Sequence, residues 1–404
     1  VFVVENLPVP FDRRVWQEAR ALSAAGWKVS VICPKTEKYP ESREQIDGIE
    51  IYRHSIPLEA RGRFGFVAEY VAALFHEARL LLQIFLKDGF DVIHACNPPD
   101  LIFLAAAPYK LLGKRFIFDH HDVSPELFIA KFGANPTMEK VLTFFEWLSF
   151  KTADLVISAN DTFREIALDR GGKKPEDVIT VYSVPDRSRM RRVEPHPDIT
   201  KLGKTILGYV GIIGDQDGVD HLVRLVDILK SKHGRSDFHA VVVGDGPALN
   251  SVKQLASSLG LEDEITFTGY KSGEELLKYL STFEIGIIPD PVNVYNDKIS
   301  MNKVFEYSAL GIPSVTYPLT ETTRLLRGTA SVSENDQPEG LAKACLTLLD
   351  DAAKRAEMGD RAQKLADEHF DWDHEAAKLR AAYDRFFPAT TGAEVGEPEP
   401  LTDR

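Results

Sequence analysis

"GYVGIIGDQDGVDHL", residues 208–222, decides the architecture. An apolar, β-branched run enters glycines at 208, 211, 214 and 218 and leaves them in a helical pattern. Glycine permits the tight or closely packed backbone that a strand-to-helix turn needs. The helix start that follows presents N–H groups and positive potential to an anion. An ordinary tight turn would use the same residues. The junction recurs as "VVVGDGPALNSV", residues 241–252, with Pro247 suited to a first helical turn. That segment nearly spells a dinucleotide fingerprint, but Leu249 replaces the third glycine and Asp245 would sit beside a pyrophosphate, which argues against a dehydrogenase.

Outward from these turns, short strands and longer helical patterns alternate along the chain. The first half offers VFVV, KVSVIC, IEIYRH, DVIHAC, RFIFDH, DLVIS and VITVYSV as strands, with helices over Phe11–Ala25, Phe64–Lys87, Asp100–Leu112 and Met138–Lys151. The second half offers TILGYVG, HAVVVGDG, ITFTGY, EIGIIPD, IPSVTYP and ASVS. This alternation predicts an α/β protein whose parallel sheets are covered on both faces. We expect two Rossmann-like, doubly wound domains facing a central cleft: residues 1–185 and 205–370, joined by a proline-bearing, charged linker over 186–204. A helix over 371–387 would cross back to the first domain, and the Pro-, Glu- and Gly-rich stretch 388–404 is expected to be disordered. Open α/β sheets bind ligands beyond the carboxyl ends of their strands, which makes the cleft the expected site.

With 404 residues, each half is long enough to bury its own core. The formal net charge of -13 argues against a nucleic-acid partner, since phosphate-rich surfaces would be repelled on average. Cys33, Cys96 and Cys345 are far apart and set among apolar neighbours, the pattern of buried thiols in a reducing compartment. No apolar run long enough to span a bilayer appears, and no leader pattern opens the sequence. A cytoplasmic location is expected, with peripheral docking of the apolar Phe64–Phe90 stretch on the inner face of the membrane kept as an option.

"MNKVFEYSALGIP", residues 301–313, reads as a short helix with Ser300 as its cap and Gly311 and Pro313 as its stop. Met301, Val304, Phe305 and Ala309 recur at core spacing, leaving Asn302, Lys303 and Glu306 on the neighbouring side. A Lys/Glu pair on a solvated face is the ordinary reading. Behind two glycine turns, the same residues suit a nucleotide: Lys303 as a point charge for phosphate, the main chain of Ser300, Met301 and Asn302 as donors, and Glu306 as acceptor of two ribose hydroxyls. Gly211, Gly214, Asp215, Gly244, Asp245 and Gly246 stand at the turns, and Tyr270 closes "FTGY", whose backbone edge suits a base. Asp215 and Asp217 spell D-x-D, but two carboxylates at a glycine turn are a weak metal signal, and no metal or cofactor is expected. In the first half, "FDHHD" ends a strand, where His120 and His121 point opposite ways and His120 is assigned to packing. Asp12, Arg13 and Arg14 lead into the first helix, where an ordinary helix-start charge pair competes with a binding role.

The order and wording of "PFDRRVWQEARALSAAGWKVSVICP", "DVIHACNPPDL", "FDHHDVSPELF", "VVVGDGPALNSV" and "NDKISMNKVFEYSALGIPSVTY" resemble the retaining GT-B glycosyltransferases of family 4, over nearly the whole chain. The resemblance implies a nucleotide-sugar donor held mainly by the second domain and an acceptor held mainly by the first. It implies that Glu306 binds the donor ribose, that His121, in the D-x-H-D pattern of Asp119, His121 and Asp122, bonds the transferred sugar near its reacting carbon, and that the loop carrying Asp12, Arg13 and Arg14 faces acceptor and donor phosphates, with Arg13 or Arg14 on an acceptor phosphate. Two departures stand out. The family's first Glu, eight positions before Glu306, is Lys298 here, with Asn296, Asp297 or the loop backbone as substitutes on the donor side. The family's Arg and Lys after the first Val-Gly of the second domain are Ile212 and Asp217, which passes phosphate neutralisation to Lys303 and to main-chain N–H groups near Gly214 and Ser300. The expected partners are a nucleoside-diphosphate sugar, uridine before guanosine, and a saccharide, lipid-linked or small-molecule acceptor. The expected activity is sugar transfer with retention in surface-polysaccharide or glycoconjugate assembly. An epimerase of the same fold and a non-catalytic, two-lobed sugar-binding protein are the alternatives.

Overall fold

The computed structural model describes residues 1–55 and 62–387, without the side chains of 62–70; the stretch 388–404, expected to be disordered, lies outside the described residues. The first sheet contains β1 (Phe2–Val4), β2 (Ser30–Pro34), β3 (Arg43–Ile46), β4 (Ile49–His54), β5 (Val92–Cys96), β6 (Arg115–His120), β7 (Leu155–Ser158) and β8 (Val178–Thr180). Their order is β3-β4-β2-β1-β5-β6-β7-β8, parallel throughout except for β3 against β4. Helices cover both faces, so β1, β2, β5 and β7 bury every residue, which is why they read as unbroken apolar runs. The second sheet, wholly parallel, contains β9 (Thr205–Val210), β10 (Phe238–Val243), β11 (Ile265–Gly269), β12 (Ile285–Ile288), β13 (Ser314–Thr316) and β14 (Ala330–Val332), in the order β11-β10-β9-β12-β13-β14.

In each sheet the chain winds outward from a central strand and then returns to its other side, at β1/β5 and at β9/β12. Such switch points open crevices at the strand ends. The helix Arg13–Ala24 leaves the first crevice and Asn302–Ala309 leaves the second.

Several local expectations change. The helix starting at Asn302 follows Met301 without a side-chain cap, and Ser300 Oγ turns instead to Glu321 at 3.5 Å. "VITVYSV" stays in the sheet only to Thr180, because the next carbonyl, Val181 O, turns to accept from Arg14 at 2.6 Å. The helix Ser124–Phe132 and the edge strand β3 were not anticipated; β3 alternates exposed with half-buried residues and carries little apolar signal. The stretch 186–204 is pinned to the second lobe: Met190 and Ile199 enter its core, and Arg192 donates to the carbonyls of Leu310 and Ser281. The final helix, Trp372–Asp384, packs Leu379, Ala382 and Tyr383 into the first lobe's core beside Val15 and Leu22. On the helix Gly62–Lys87, Val71, Phe75, Leu82 and Leu86 are exposed, and no helix of the described residues is long and apolar enough to cross a membrane.

Candidate functional site

On the second wall, the loops after β9, β10 and β11 pack main chain against main chain. Gly211 N donates to Val243 O (3.1 Å), Ile213 N to Asp245 O (3.0 Å), Ala248 N to Ile213 O (2.9 Å) and Gly244 N to Gly269 O (3.1 Å). A Cβ at Gly244, where φ is +152°, would lie 1.9 Å from the Gly211 carbonyl oxygen, so loop packing itself demands this glycine. Gly214 N donates to Asp217 Oδ2 at 2.9 Å, and Gly246 N to Asp245 Oδ1 at 2.7 Å. For Gly211 and Gly244 the expectation that the N–H groups close on phosphate is corrected, because loops following adjacent parallel strands lie close enough to satisfy one another, whereas Gly214 and Gly246 bond carboxylates within their own turns. The helices starting at Val219, Leu249 and Asn302 all lack a side-chain cap, so each leaves N–H groups for an anion on this wall, and the last of them is the one that carries Lys303 and Glu306.

Lys303, beside that start, is not a free cation. Its Nζ lies 2.7 and 2.9 Å from the two carboxylate oxygens of Asp290, at the end of β12, and both residues are buried. The ammonium also lies over the Tyr209 ring, 5.1 Å from its centroid. A buried lysine needs such a counter-charge, and the pair fixes the helix start against β12. Asp217 nearby is pushed up to about 6 by burial, with Lys303 opposing the rise and Asp290 adding to it. Asp215 and Asp217 do not converge as D-x-D requires: Asp217 turns back onto Gly214 N while Asp215 is exposed. Asp245 and Tyr270 are also exposed at the rim, as is Ile212.

The first wall is organised by Asp119, fully buried at the end of β6. One of its oxygens accepts from Arg14 at 2.8 Å, and the other lies 3.1 Å from His94 Nε2 and 2.5 Å from His121 Nε2. Burial works against its charge, but Arg14 and the histidines hold the carboxyl well below the usual carboxylate range. Glu18, next to it, is pushed well above that range by burial, with Arg14 opposing and Asp119 adding. His121 Nε2 thus sits between Asp119 Oδ2 and Arg14 Nε, the latter at 2.8 Å, and no hydrogen bond engages its Nδ1 among the described residues. Asn97, ending β5, sets the turn by accepting from His121 N (2.7 Å) and Asp122 N (3.1 Å) through Oδ1. His120 packs among Phe118, Phe150 and Phe163. From the final helix, Tyr383 Oη reaches His94 Nδ1 at 2.7 Å, completing a chain Tyr383–His94–Asp119–His121.

Arg14 is buried, donating to Asp119, Val181 O, Ser183 Oγ and His121 and pairing with Glu18, so its assignment to an acceptor phosphate is corrected. Asp12 caps the first helix through Val15 N at 3.1 Å. Of the three residues expected at the acceptor, Arg13 is the one with an exposed side chain, 56%, and it crosses the cleft to Glu306 Oε1 at 2.8 Å. Lys298 likewise leaves the donor wall: its Nζ pairs with Glu126 of the first lobe at 2.9 Å, alongside Arg170. Its carbonyl accepts from Asn160 at 2.9 Å. Ligand atoms of Glu18, Asp119 and His121, and of His94, Cys96 and Asp119, lie within 4.8 Å of one another. The Arg14 guanidinium, 2.8 Å from Asp119 and 3.1 Å from Glu18, already supplies the positive charge there.

Sequence reasoning passed over Asp290, Glu126, His94, Glu18 and Tyr383. "IIPD" ending a buried strand was a usable signal for Asp290. A tyrosine near the end of the last helix gave none.

Residues 12–189 match the sequence model of Glycosyltransferase Family 4, and residues 204–351 that of Glycosyl transferases group 1. The 2-deoxystreptamine glucosyltransferase of Streptomyces kanamyceticus is 26% identical over 395 residues, 92% of this chain and 98% of the relative. Among solved structures, the sucrose-phosphate synthase of Thermosynechococcus elongatus superposes with a TM-score of 0.78 at 18% identity, over 96% of this chain and 99% of that one. HepE of Anabaena, solved with UDP and glucose, superposes with a TM-score of 0.70 at 15% identity, over 95% and 98%.

Proposed function

The chain belongs to glycosyltransferase family 4 and has the two-lobed GT-B fold, and from that premise we propose that it moves a sugar from a uridine-diphosphate donor to an acceptor hydroxyl with retention at the anomeric carbon. The observation that carries this reading is the position of Glu306: a buried carboxylate on the helix that leaves the second switch point, one turn beyond an uncapped helix start and facing His121's lobe across the cleft. A ribose on Glu306 places the diphosphate at the helix start and the sugar toward His121. HepE, a two-lobed structure solved with UDP and glucose, supports uridine as the base. The relative matched end to end, a 2-deoxystreptamine glucosyltransferase by name, supports a small polar acceptor.

In this reading the donor phosphate oxygen leaves and itself takes the acceptor proton on the same face of the sugar. The cleft's task is then to stabilise the leaving diphosphate and an oxocarbenium-like carbon. Helix-start N–H groups serve the first. His121, oriented by Asp119, Arg14 and the Tyr383–His94 pair, serves the second through Nδ1. Lys303 contributes its charge net of Asp290, and no step requires a metal.

The test is a melting-temperature screen of the purified chain against UDP-, GDP- and ADP-sugars, since a ligand bound only by the folded form raises the midpoint. Proton coupling at the anomeric carbon of the product follows. We expect stabilisation by a UDP-sugar and an anomer matching the donor's. An inverted product, or stabilisation by none of the sugars, overturns the proposal.

A further inference from the structure

The loop 289–301, between β12 and the helix Asn302–Ala309, is anchored on both sides of the cleft. On its own lobe, Asn293 Oδ1 folds the turn by accepting from Tyr295 N (2.9 Å) and Asn296 N (2.8 Å). The buried Asn296 donates to Gln216 O at 3.0 Å, and Asp297 Oδ1 accepts from Thr320 N at 2.7 Å, which holds the loop to the turn after β9 and to the helix Thr320–Leu326. On the opposite lobe, Lys298 Nζ lies 2.9 Å from Glu126 Oε1, Lys298 O accepts from Asn160 Nδ2 at 2.9 Å, and the Tyr295 hydroxyl donates to the Asp122 carboxylate. Asp122 follows His121 in the chain, so the tie at Tyr295 lands beside the side chain assigned to the reacting carbon.

The receiving end is fixed by burial. Glu126 is buried and accepts from Arg170 through both oxygens, at 2.8 and 3.3 Å, while Arg170 also reaches the fully buried Glu146 at 2.6 Å. Asn160 is fully buried and caps the helix Asp161–Asp169 through Phe163 N at 2.7 Å. Two carboxylates, Glu126 and Glu146, share the Arg170 guanidinium, and Lys298 adds a second cation to the group. An isolated ion pair on a surface contributes little, but one that completes a buried network leaves a charge uncompensated when it is broken. Behind the loop, Glu321 meets Thr162 of the first lobe at 2.6 Å, so breaking the Lys298 pair loosens the loop while the lobes keep other contacts.

We infer that Lys298 is a positioning residue: through Glu126 it fixes the donor-side loop, and Tyr295 with it, in register with the acceptor lobe, so that His121 stands at the carbon to be transferred. This rests on the nucleotide-sugar reading above and goes beyond it in giving the Lys298–Glu126 pair a role in transfer. The groups assigned to the nucleotide, Glu306 and the helix start, belong to the second lobe, and the anchors at Asn296 and Asp297 remain when the pair is broken. Loss of the pair therefore acts on transfer and leaves nucleotide binding in place. A displacement of about 1 Å between reacting groups can cost about 100-fold in rate.

The test combines kinetics of UDP release from UDP-glucose, calorimetry with UDP, and amide exchange of the loop read by mass spectrometry. Lys298→Met and Glu126→Gln should each lower kcat by about 10- to 100-fold while the Kd for UDP stays within about twofold of wild type. The double variant should fall no further than the worse single one, because both substitutions remove one interaction. Lys298→Arg, which keeps the charge, should recover most of the rate. A low kcat in Lys298→Met beside a normal one in Glu126→Gln would place Lys298 on the substrate and overturn the inference, as would additive losses in the double variant. Lower melting temperatures with kcat intact would overturn it too, leaving the pair a structural contact. Exchange over 293–300 should be faster in both single variants, and unchanged exchange overturns the inference even where turnover of UDP-glucose is slow. A wild-type chain that does not bind UDP overturns the donor reading, while the exchange result still decides whether the pair holds the loop.

Discussion

Replacing Arg14 by Met tests whether this arginine builds the acceptor lobe or touches a substrate. The side chain is 7% exposed and donates to Asp119 (2.8 Å), Val181 O (2.6 Å), Ser183 Oγ (3.1 Å) and His121 Nε2 (2.8 Å), with Glu18 3.1 Å away. Methionine keeps most of the apolar stem and removes the charge, leaving Asp119 ionised and unpaired in a buried site. Removing one partner of a buried ion pair costs about 3–5 kcal/mol. For a lobe of this size a destabilisation of 1 kcal/mol lowers the midpoint by about 2–4 °C, so the expected fall is on the order of 10 °C. Differential scanning calorimetry should place that fall in the transition of the first lobe, with the second lobe's less affected. Arg14→Lys, which retains a charge without the planar fork, should recover only part of it. The reasoning is refuted if Arg14→Met melts within about 2 °C of wild type. The same substitution raising the KM for a phosphorylated acceptor at unchanged stability would restore the substrate role that the sequence suggested.

Two further outcomes follow from buried groups. Glu77 is fully buried on the helix Gly62–Lys87, neither oxygen has a hydrogen-bond partner, and burial pushes its carboxyl up to about 8 from 4.5. The folded chain therefore keeps a proton that the unfolded chain releases, and stability falls as pH rises from 4.5 to 8. At about 1.36 kcal/mol per pH unit, roughly 4 kcal/mol is lost by pH 7.5. Glu77→Gln should match wild type in urea unfolding near pH 4.5 and exceed it by that order at pH 7.5; a gap independent of pH refutes the assignment. Tyr383→Phe removes the hydroxyl that orients His94 against Asp119. A loss of about 1 kcal/mol, the net worth of one such bond, should lower the melting temperature by about 2–4 °C, and the loosened His121 should show as a several-fold lower kcat with donor KM nearly unchanged. A fall in stability with kcat intact would reduce Tyr383 to packing.

The alternation of strand and helix, the glycine turns and the stop at Gly311 and Pro313 were legible because each is a local matter: side-chain period, permitted φ and ψ, and the missing proline N–H act within a few residues. They determined two α/β lobes built on parallel strands, and the motif order pointed to the family; the strand ends are where such sheets are expected to bind. Which partner each charged side chain took was decided only by the tertiary structure. Arg13 and Arg14 are neighbours of one type, yet one step around the helix sends Arg13 across the cleft to Glu306 and Arg14 into the lobe beneath His121. Lys303 meets Asp290 because β12 ends beside the helix start, Lys298 meets Glu126 because the lobes face each other, and Tyr383 meets His94 because the last helix returns to the first lobe. Contacts of this kind join residues 172, 289 or 293 positions apart, with no period to announce them. Burial then forces each ion to take the counter-charge that packing brings within reach, and no local pattern records which one that will be.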